Sequence, residues 1–279
     1  MATGISTAFI TLFDAEVKQA YQADSMLRNA VRLRTNVEGS TYKFPKISAG
    51  AAVARGSISS DVTALGITYA QATATMSDWV AAEYTDIFGQ TKVNFDERSE
   101  LVQICGKAIG RRSDQLVLTA LDAASTALTV ATSIGGSATN LNLEKLLEAK
   151  RLMDAGNVPF SDRYFVIHAN NLAGLLSETK VTSSDYGNVK ALVQGQVDTF
   201  MGFKFITMGD LAEGGLPLAT GVRTNYAFHK SAVGLAESLG PKTEINYVPQ
   251  KTSWLVNCMY SAGSVGIDAT GIVEVSCTE

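Results

Sequence analysis

The sequence predicts an α+β fold, and three observations carry that expectation. Residues 96–125 (DERSELVQICGKAIGRRSDQLVLTALDAAS) contain no proline and repeat apolar side chains every three or four positions, the pattern of one long helix. Residues 38–75 alternate like a strand around Tyr42 and Phe44 but hold few large apolar side chains, so they read as a two-stranded extension with little core of its own. Residues 142–176 run helix, strand, cap, helix, and residues 243–277 run as strands, the last with two-residue alternation; together they make an α/β lobe and an antiparallel sheet. A chain of 279 residues forms one elaborate domain or two smaller ones.

Taken in order, residues 1–37 show a helical pattern at Ala8, Phe9, Leu12, Phe13, Val17, Ala20 and Tyr21, then a basic run at Arg28, Arg32 and Arg34. The segment is too short to form a core and reads as an arm that packs on something else, with its arginines on a solvated helix face. In the extension, residues 49–52 (AGAA) are the tip and residues 64–75 the returning strand. Residues 75–88 read as a strand leading into the long helix, with Trp79 and Phe88 as core anchors.

In the helix, Leu101, Cys105, Ala108, Ile109, Leu116, Ala120, Leu121 and Ala124 fall mostly on one side, and Asn94 or Asp96 suits the cap position. Some thirty residues at 1.5 Å each make a rod of roughly 45 Å, long enough to be a spine for the other elements. Gly106 and Gly110 each cost about 1 kcal/mol relative to Ala, so they mark a bend or a close backbone approach. The carboxylates Asp96/Glu97 and Asp114/Asp122 fit helix surfaces.

A Gly/Ser/Thr loop at residues 126–141 marks a lobe boundary. Beyond it, Asn142 caps a helix over residues 143–155, and Gly156 suits a left-handed stop. Residues 163–168 (RYFVIH) are a short buried strand, and Asn170 or Asn171 caps the helix after it. Residues 181–188 are polar and exposed, residues 203–207 a strand, and residues 212–221 a loop rich in glycine. A strand at residues 225–235 and three antiparallel strands in residues 243–277 complete the chain.

Composition narrows the function. The net charge of −4 argues against a protein that grips nucleic acid through its phosphates. Three cysteines, odd in number and without CxxC spacing, indicate neither a disulfide framework nor a zinc site. The N-terminal stretch lacks the basic region of a signal peptide, and no run of about eighteen apolar residues occurs, so synthesis in the cytosol is expected. No GxSxG, GxxxxGK[ST] or GxGxxG is present. The two histidines, His168 and His229, lack HExxH or HxH spacing and read as structural. Nothing points to catalysis, a cofactor or a metal. Arg111 and Arg112 read as ion-pair partners or as stems covering apolar surface.

The order of parts resembles the major capsid protein of tailed bacteriophages, the Hong Kong 97-type fold. The stretches that carry the resemblance are QLVLTALDAAS, LEKLLEAKRLMDAGNVPFSDRYFVIHANNLAGLL, QGQVDTFMGFKFITMGDL, AFHKSAVGLA and WLVNCMYSAGSVGIDATGIVEV. It implies an N-arm (residues 1–37), an E-loop (38–75), a P-domain (76–129 and 241–279, with its spine helix at about 96–125) and an A-domain (130–240). Loops 181–188 and 212–221 would meet at the symmetry axes. Pentamers and hexamers would build an icosahedral shell in the virion, around double-stranded DNA held without sequence-specific binding.

The partners it implies are further copies of the chain, a separate scaffolding protein, a portal protein at one vertex and a decoration or cement protein, with no membrane. Inter-subunit contacts are expected at Lys43, Lys46, Arg55, Asp61, Arg111, Arg112, Asp185, Tyr186 and Pro217. Any bend in the spine belongs between Cys105 and Arg111. Two alternatives stand beside this reading. One is an encapsulin-like cellular compartment shell; the other is an α/β enzyme with a site assembled from His168, His229 and Asp210.

Overall fold

A computed structural model describes residues 22, 24–58, 61–92, 96–124, 128–178 and 199–279, with only the backbone of Glu213. The expected helix is present as α2 (Glu97–Ala124), unbroken, with Glu97 and Glu100 in its first turn where the helix dipole favours acid. Gly110 is a close approach: a Cβ there would lie 3.3 Å from Cβ of Ser25 and 3.4 Å from its backbone nitrogen. A Cβ at Gly106 would meet nothing.

One side of α2 covers a four-stranded sheet built from β1 (Arg32–Arg34), β11 (Val233–Val248), β12 (Ser253–Gly266) and β4 (Ser77–Asp86), in that order. The first pair is parallel and the others antiparallel. Cys105, Ile109, Val117 and Leu121 of the helix pack with Leu235, Val256, Cys258, Tyr260 and Ala262 of the sheet. The same core continues to Val166, Tyr226, Phe228 and Ile272 of a second sheet, so the helix joins two layers.

The second sheet has seven strands. Six run in the order β5 (Thr129–Val130), β13 (Ile272–Thr278), β10 (Val222–His229), β6 (Arg163–His168), β8 (Phe203–Met208) and β7 (Thr199–Phe200), and β9 (Leu218–Ala219) pairs with β10. Its other face packs under α3 (Leu143–Ala155) and α4 (Ala169–Leu176) through Leu146, Met153, Phe165, Ile167, Leu175 and Val275. A separate two-stranded sheet pairs β2 (Thr41–Ile47) with β3 (Tyr69–Thr75).

Several expectations need correction. The basic run at residues 28–34 is a turn followed by β1, not a helix face: Arg28 pairs with Glu237, and Arg32 lies over the Phe44 ring. The returning strand of the extension starts at Tyr69 rather than residue 64; Gly66 upstream has a left-handed φ of +63° that a regular strand cannot use. Trp79 packs on the core, but Phe88 is 65% exposed, because it sits in the single turn α1 (Ile87–Gln90), which buries nothing. Asn142 caps α3 as expected, yet Gly156 has φ −79° and Asn157 takes the left-handed position at +55°. His168, not an asparagine, caps α4: its ring nitrogen Nδ1 accepts from the Asn170 N–H at 3.3 Å.

The strand expected across residues 225–235 is two, split by a 3-10 turn at Lys230–Ala232 whose cap is His229. The last strand does not extend the antiparallel sheet. A turn at Ala269–Gly271 carries the chain away from β12, and β13 pairs with β10 in the other layer. Part of the loop after Asp210 lies against α2, while Leu218, Ala219 and Thr220 are exposed. Gly214 (φ +79°) lies so close to Arg111 that a Cβ would fall 2.9 Å from the Arg111 Cβ, and Leu216 is buried.

Candidate subunit interface

Among the described residues, the chain beyond the β2–β3 hairpin carries the most exposed large apolar side chains. The hairpin's root is well held. Phe44 and Ala74 are buried with Val37 and Ala236, and the Phe44 ring lies where a Cβ on Gly234 would have to be, at 2.6 Å. Lys46 Nζ stands 2.8 Å from Asp268 Oδ1, tying the hairpin to the turn before β13. Burial alone would raise the Asp268 carboxyl, but its hydrogen bonds with Lys46 and Thr270 outweigh that and hold it below the usual carboxylate range.

Strand pairing ends at Ile47 and Tyr69. Among the described residues between them, several apolar side chains are bare: Ile58 is 90% exposed, Val62 98%, and Val53 and Leu65 are exposed as well.

A second set of residues fixes the root of the N-terminal arm. Asp114, 1% exposed, accepts from the Ser25 hydroxyl at 2.9 Å and from the backbone N–H groups of Met26 at 2.8 Å and Leu27 at 3.0 Å. Burial pushes its carboxyl up, and those three donors restrain the rise. Glu237, also 1% exposed, receives both arms of the Arg28 guanidinium at 2.8 and 2.7 Å and the Tyr260 hydroxyl at 3.0 Å. Asp114 had been expected on a helix surface. It is buried because the arm brings its donors to it, and charge-assisted bonds of this kind offset desolvation.

The expected contact residues divide into three groups. Lys43 is exposed on β2, and Arg55 and Asp61 are exposed beyond it, where the Arg55 guanidinium bonds the Ile58 carbonyl. Four others are engaged inside the subunit. Lys46 pairs with Asp268, and Arg111 donates to Gln22 Oε1 at 2.9 Å. Arg112 stacks 3.6 Å from the Trp79 ring centroid and donates to Gln115, as its reading as a stem over apolar surface anticipated. Pro217 is half-buried in the loop that folds onto α2. Asp185 and Tyr186 lie outside the described residues.

Of the possible catalytic residues, His168 and Asp210 come together and His229 does not. His168 Nε2 is 3.4 Å from Asp210 Oδ1, and its Nδ1 is 3.2 Å from Glu279 Oε1. Arg223 completes the cluster with bonds of 2.8 and 3.0 Å to the Glu279 carboxylate and 2.9 Å to Asp210. Among the described residues the partners given for the His168 ring are these two carboxylates and the Asn170 N–H, with no hydroxyl or thiol among them. His229 instead meets Ser231 Oγ at 2.7 Å, and burial lowers its pKa. Among the described residues no group of three His, Cys, Asp or Glu is placed to hold a metal ion. No described helix is long and apolar enough to cross a membrane.

Comparison with known proteins gives a consistent result. The family model for phage capsid protein matches residues 5–279. No curated protein sequence matches the chain. Among solved structures, the capsid of cyanophage P-SCSP1u is similar at TM-score 0.78 and 19% identity, covering 100% of this chain and 96% of that one. A structure of Mycobacterium phage Che8 is similar at 0.75 and 17%, covering 95% of each chain. The acid-stable capsid of Helicobacter pylori bacteriophage KHP30 is similar at 0.76 and 11%, covering 100% and 98%. At these identities the likeness is one of fold.

Proposed function

The chain belongs to the phage capsid protein family, and from that premise we propose that the bare end of its hairpin is the contact by which one subunit grips the next in an icosahedral shell. It is a structural protein of the virion and not an enzyme, with the Hong Kong 97-like fold and the role of major capsid protein of a tailed phage. It assembles with copies of itself. The observation that carries the contact reading is the exposure of Ile58 and Val62 at the far end of an anchored root. Burying such side chains stabilises by roughly 1.5–3 kcal/mol each, and among the described residues they remain exposed.

In this reading the hairpin is the E-loop, with Lys43, Arg55 and Asp61 at the polar rim of the contact. The spine helix and the four-stranded sheet form the P-domain, and the seven-stranded sheet with its helices forms the A-domain. Ile272–Thr278 goes with the A-domain, whose sheet it joins. Pentamers and hexamers enclose double-stranded DNA, with a separate scaffolding protein, a portal at one vertex and a decoration protein as further partners. The acidic chain suits a wall that confines DNA without gripping it.

Deletion of residues 48–62 tests the proposal. The shortened subunit is expected to keep its folded circular dichroism and melting transition while negative-stain microscopy, with scaffold supplied, shows no closed shells. Normal shells from the deleted chain would refute the contact. An unfolded subunit would show that the segment belongs to the core.

A further inference from the structure

We propose that His168 is an acid-sensing switch: on gaining a proton, its Nδ1 gives up the N-terminus of α4 and bonds the Glu279 carboxylate. Nδ1 has two neighbours in the structure, the Asn170 N–H at 3.3 Å and Glu279 Oε1 at 3.2 Å. One ring nitrogen cannot serve both. A bare Nδ1 accepts from the N–H but turns its lone pair on the carboxylate. A protonated Nδ1 donates to the carboxylate but can no longer cap the helix. The contact with Glu279 is therefore repulsive in one protonation state, and the cap is lost in the other.

With Nδ1 accepting, the neutral ring carries its hydrogen on Nε2, which faces Asp210 Oδ1 at 3.4 Å. The protonated ring keeps that contact, so acidification changes the partners of Nδ1 alone. His229 makes the contrast. Its Nδ1 also accepts a backbone N–H, from Ser231 at 3.2 Å, but its second neighbour is the Ser231 hydroxyl, which can turn to donate. No conflict arises there while the ring is neutral.

Charge favours the exchange at His168. Among the described residues the ionised groups at the ring are Asp210, from the loop after β8, Glu279, just beyond β13, and Arg223 of β10, which bonds both carboxylates. The other polar neighbours are uncharged. Asn170 of α4 donates its Nδ2 to Glu279 Oε2 at 3.2 Å, and Asn225 Oδ1 of β10 accepts from the His168 backbone N–H at 3.2 Å. A neutral ring leaves one cation against two carboxylates, and a protonated ring makes the count even. Burial opposes the Glu279 carboxylate, but Arg223 and Asn170 hold its carboxyl below the usual range, so the acceptor is already ionised when the ring takes its proton.

The cost falls on an exposed group. Asn170 is exposed, so water can take its N–H once the cap is withdrawn. Asn171 is fully buried and stays fixed by bonds to Asn140 at 2.7 Å and Asn225 at 3.1 Å, neither of which involves the ring. The change is confined to the first turn of α4 and does not depend on how subunits meet in a shell.

The test uses the full chain and solid-state NMR, which reads it whether or not it has assembled. Labelling histidine nitrogen shows two rings, and His168→Asn removes one of them, which assigns both. A second sample carries carbonyl-labelled alanine and nitrogen-labelled asparagine. Ala169–Asn170 is the only Ala-Asn step in the sequence, so this pair gives a single amide signal. As the pH falls from about 8 to about 5, Nδ1 of His168 is expected to gain its proton, and the Asn170 amide proton to shift upfield with the same midpoint as its bond is lost. In His168→Asn, whose side-chain oxygen caps without titrating, the amide signal should hold still. Protonation of Nδ1 with an unmoved amide, equal movement of the amide in His168→Asn, or a ring that stays neutral across the range would each overturn the proposal.

Discussion

Asp114 and Glu237 show how much of this protein depends on single side chains whose partners are distant in sequence. Each is a buried carboxylate satisfied by the stretch Ser25–Arg28, and Asp114 accepts two backbone N–H groups there. Asp114→Ala is expected to lower subunit stability by about 1–3 kcal/mol in a denaturant melt, since it leaves the buried Leu27 N–H unbonded and removes the acceptor of Ser25 and Met26. A variant as stable as the parent would show that water replaces the carboxylate.

The same residue has a pH signature. Its folded pKa is raised, chiefly by burial, so its contribution is fully present below the ordinary Asp value and fades as pH rises through the folded one. The margin of the parent over Asp114→Asn should therefore shrink from about pH 4 towards neutrality. Glu279 works in the opposite sense. Burial opposes it, but Arg223 and Asn170 hold its carboxyl below the usual range, so its contribution is present above the ordinary Glu value and lost as pH falls through the lowered one. Neither role was legible in the sequence. Asp114 falls at a spacing that resembles a helix surface, and only the arm, folded across from residue 25, turns that position inward.

Among elements, the legible ones are those whose signals are local. The spine helix was readable to within a residue at each end because its periodicity, acidic first turn and lack of proline lie within one window. The cap of α3 was readable for the same reason. Which sheet β13 joins was not, because its alternation is equally suited to β10 and to β12 as a partner, and only the turn at Ala269–Gly271 decides.

Glycine positions divide in the same way. Gly234 is required because the Phe44 ring occupies its missing side chain, whereas a Cβ on Gly240 would meet open space. Gly234→Ala should destabilise the hairpin root by about 1–3 kcal/mol, as overpacking does, and Gly240→Ala should stay close to neutral. Equal melting temperatures for the two variants would show that Phe44 moves aside freely. A shift relieved by adding Phe44→Leu would place the clash at that ring.

At the scale of the molecule, α2 makes one body of two layers, and the three thiols sample both. Cys105 and Cys258 lie in the core shared by the helix and the four-stranded sheet, and Cys277 lies in the core beneath α3, where burial pushes its pKa up to about 11. None is expected to react with a thiol reagent at neutral pH while the subunit is folded, and all three should react after denaturation. Rapid reaction of Cys277 alone would mean that the second layer opens independently of the first. The order of parts along the chain was enough to place this molecule among shell proteins. Its contact surfaces were less legible, because a residue that pairs across a subunit boundary leaves no trace in the spacing of a single chain, and Lys46 and Arg112 prove to be engaged within their own subunit.

The crossing of β13 into the second layer also has a consequence for biosynthesis. The central strand β10 has β13 as one of its two long neighbours, and β12, the middle of the other sheet, precedes β13 by only a short turn. Both sheets therefore wait for β12 and β13. A nascent polypeptide still inside the ribosome at residue 253 has β4, β10 and β11 exposed with open edges. The layers close only once β12 and β13 have emerged, so the two sheets cannot be complete before then.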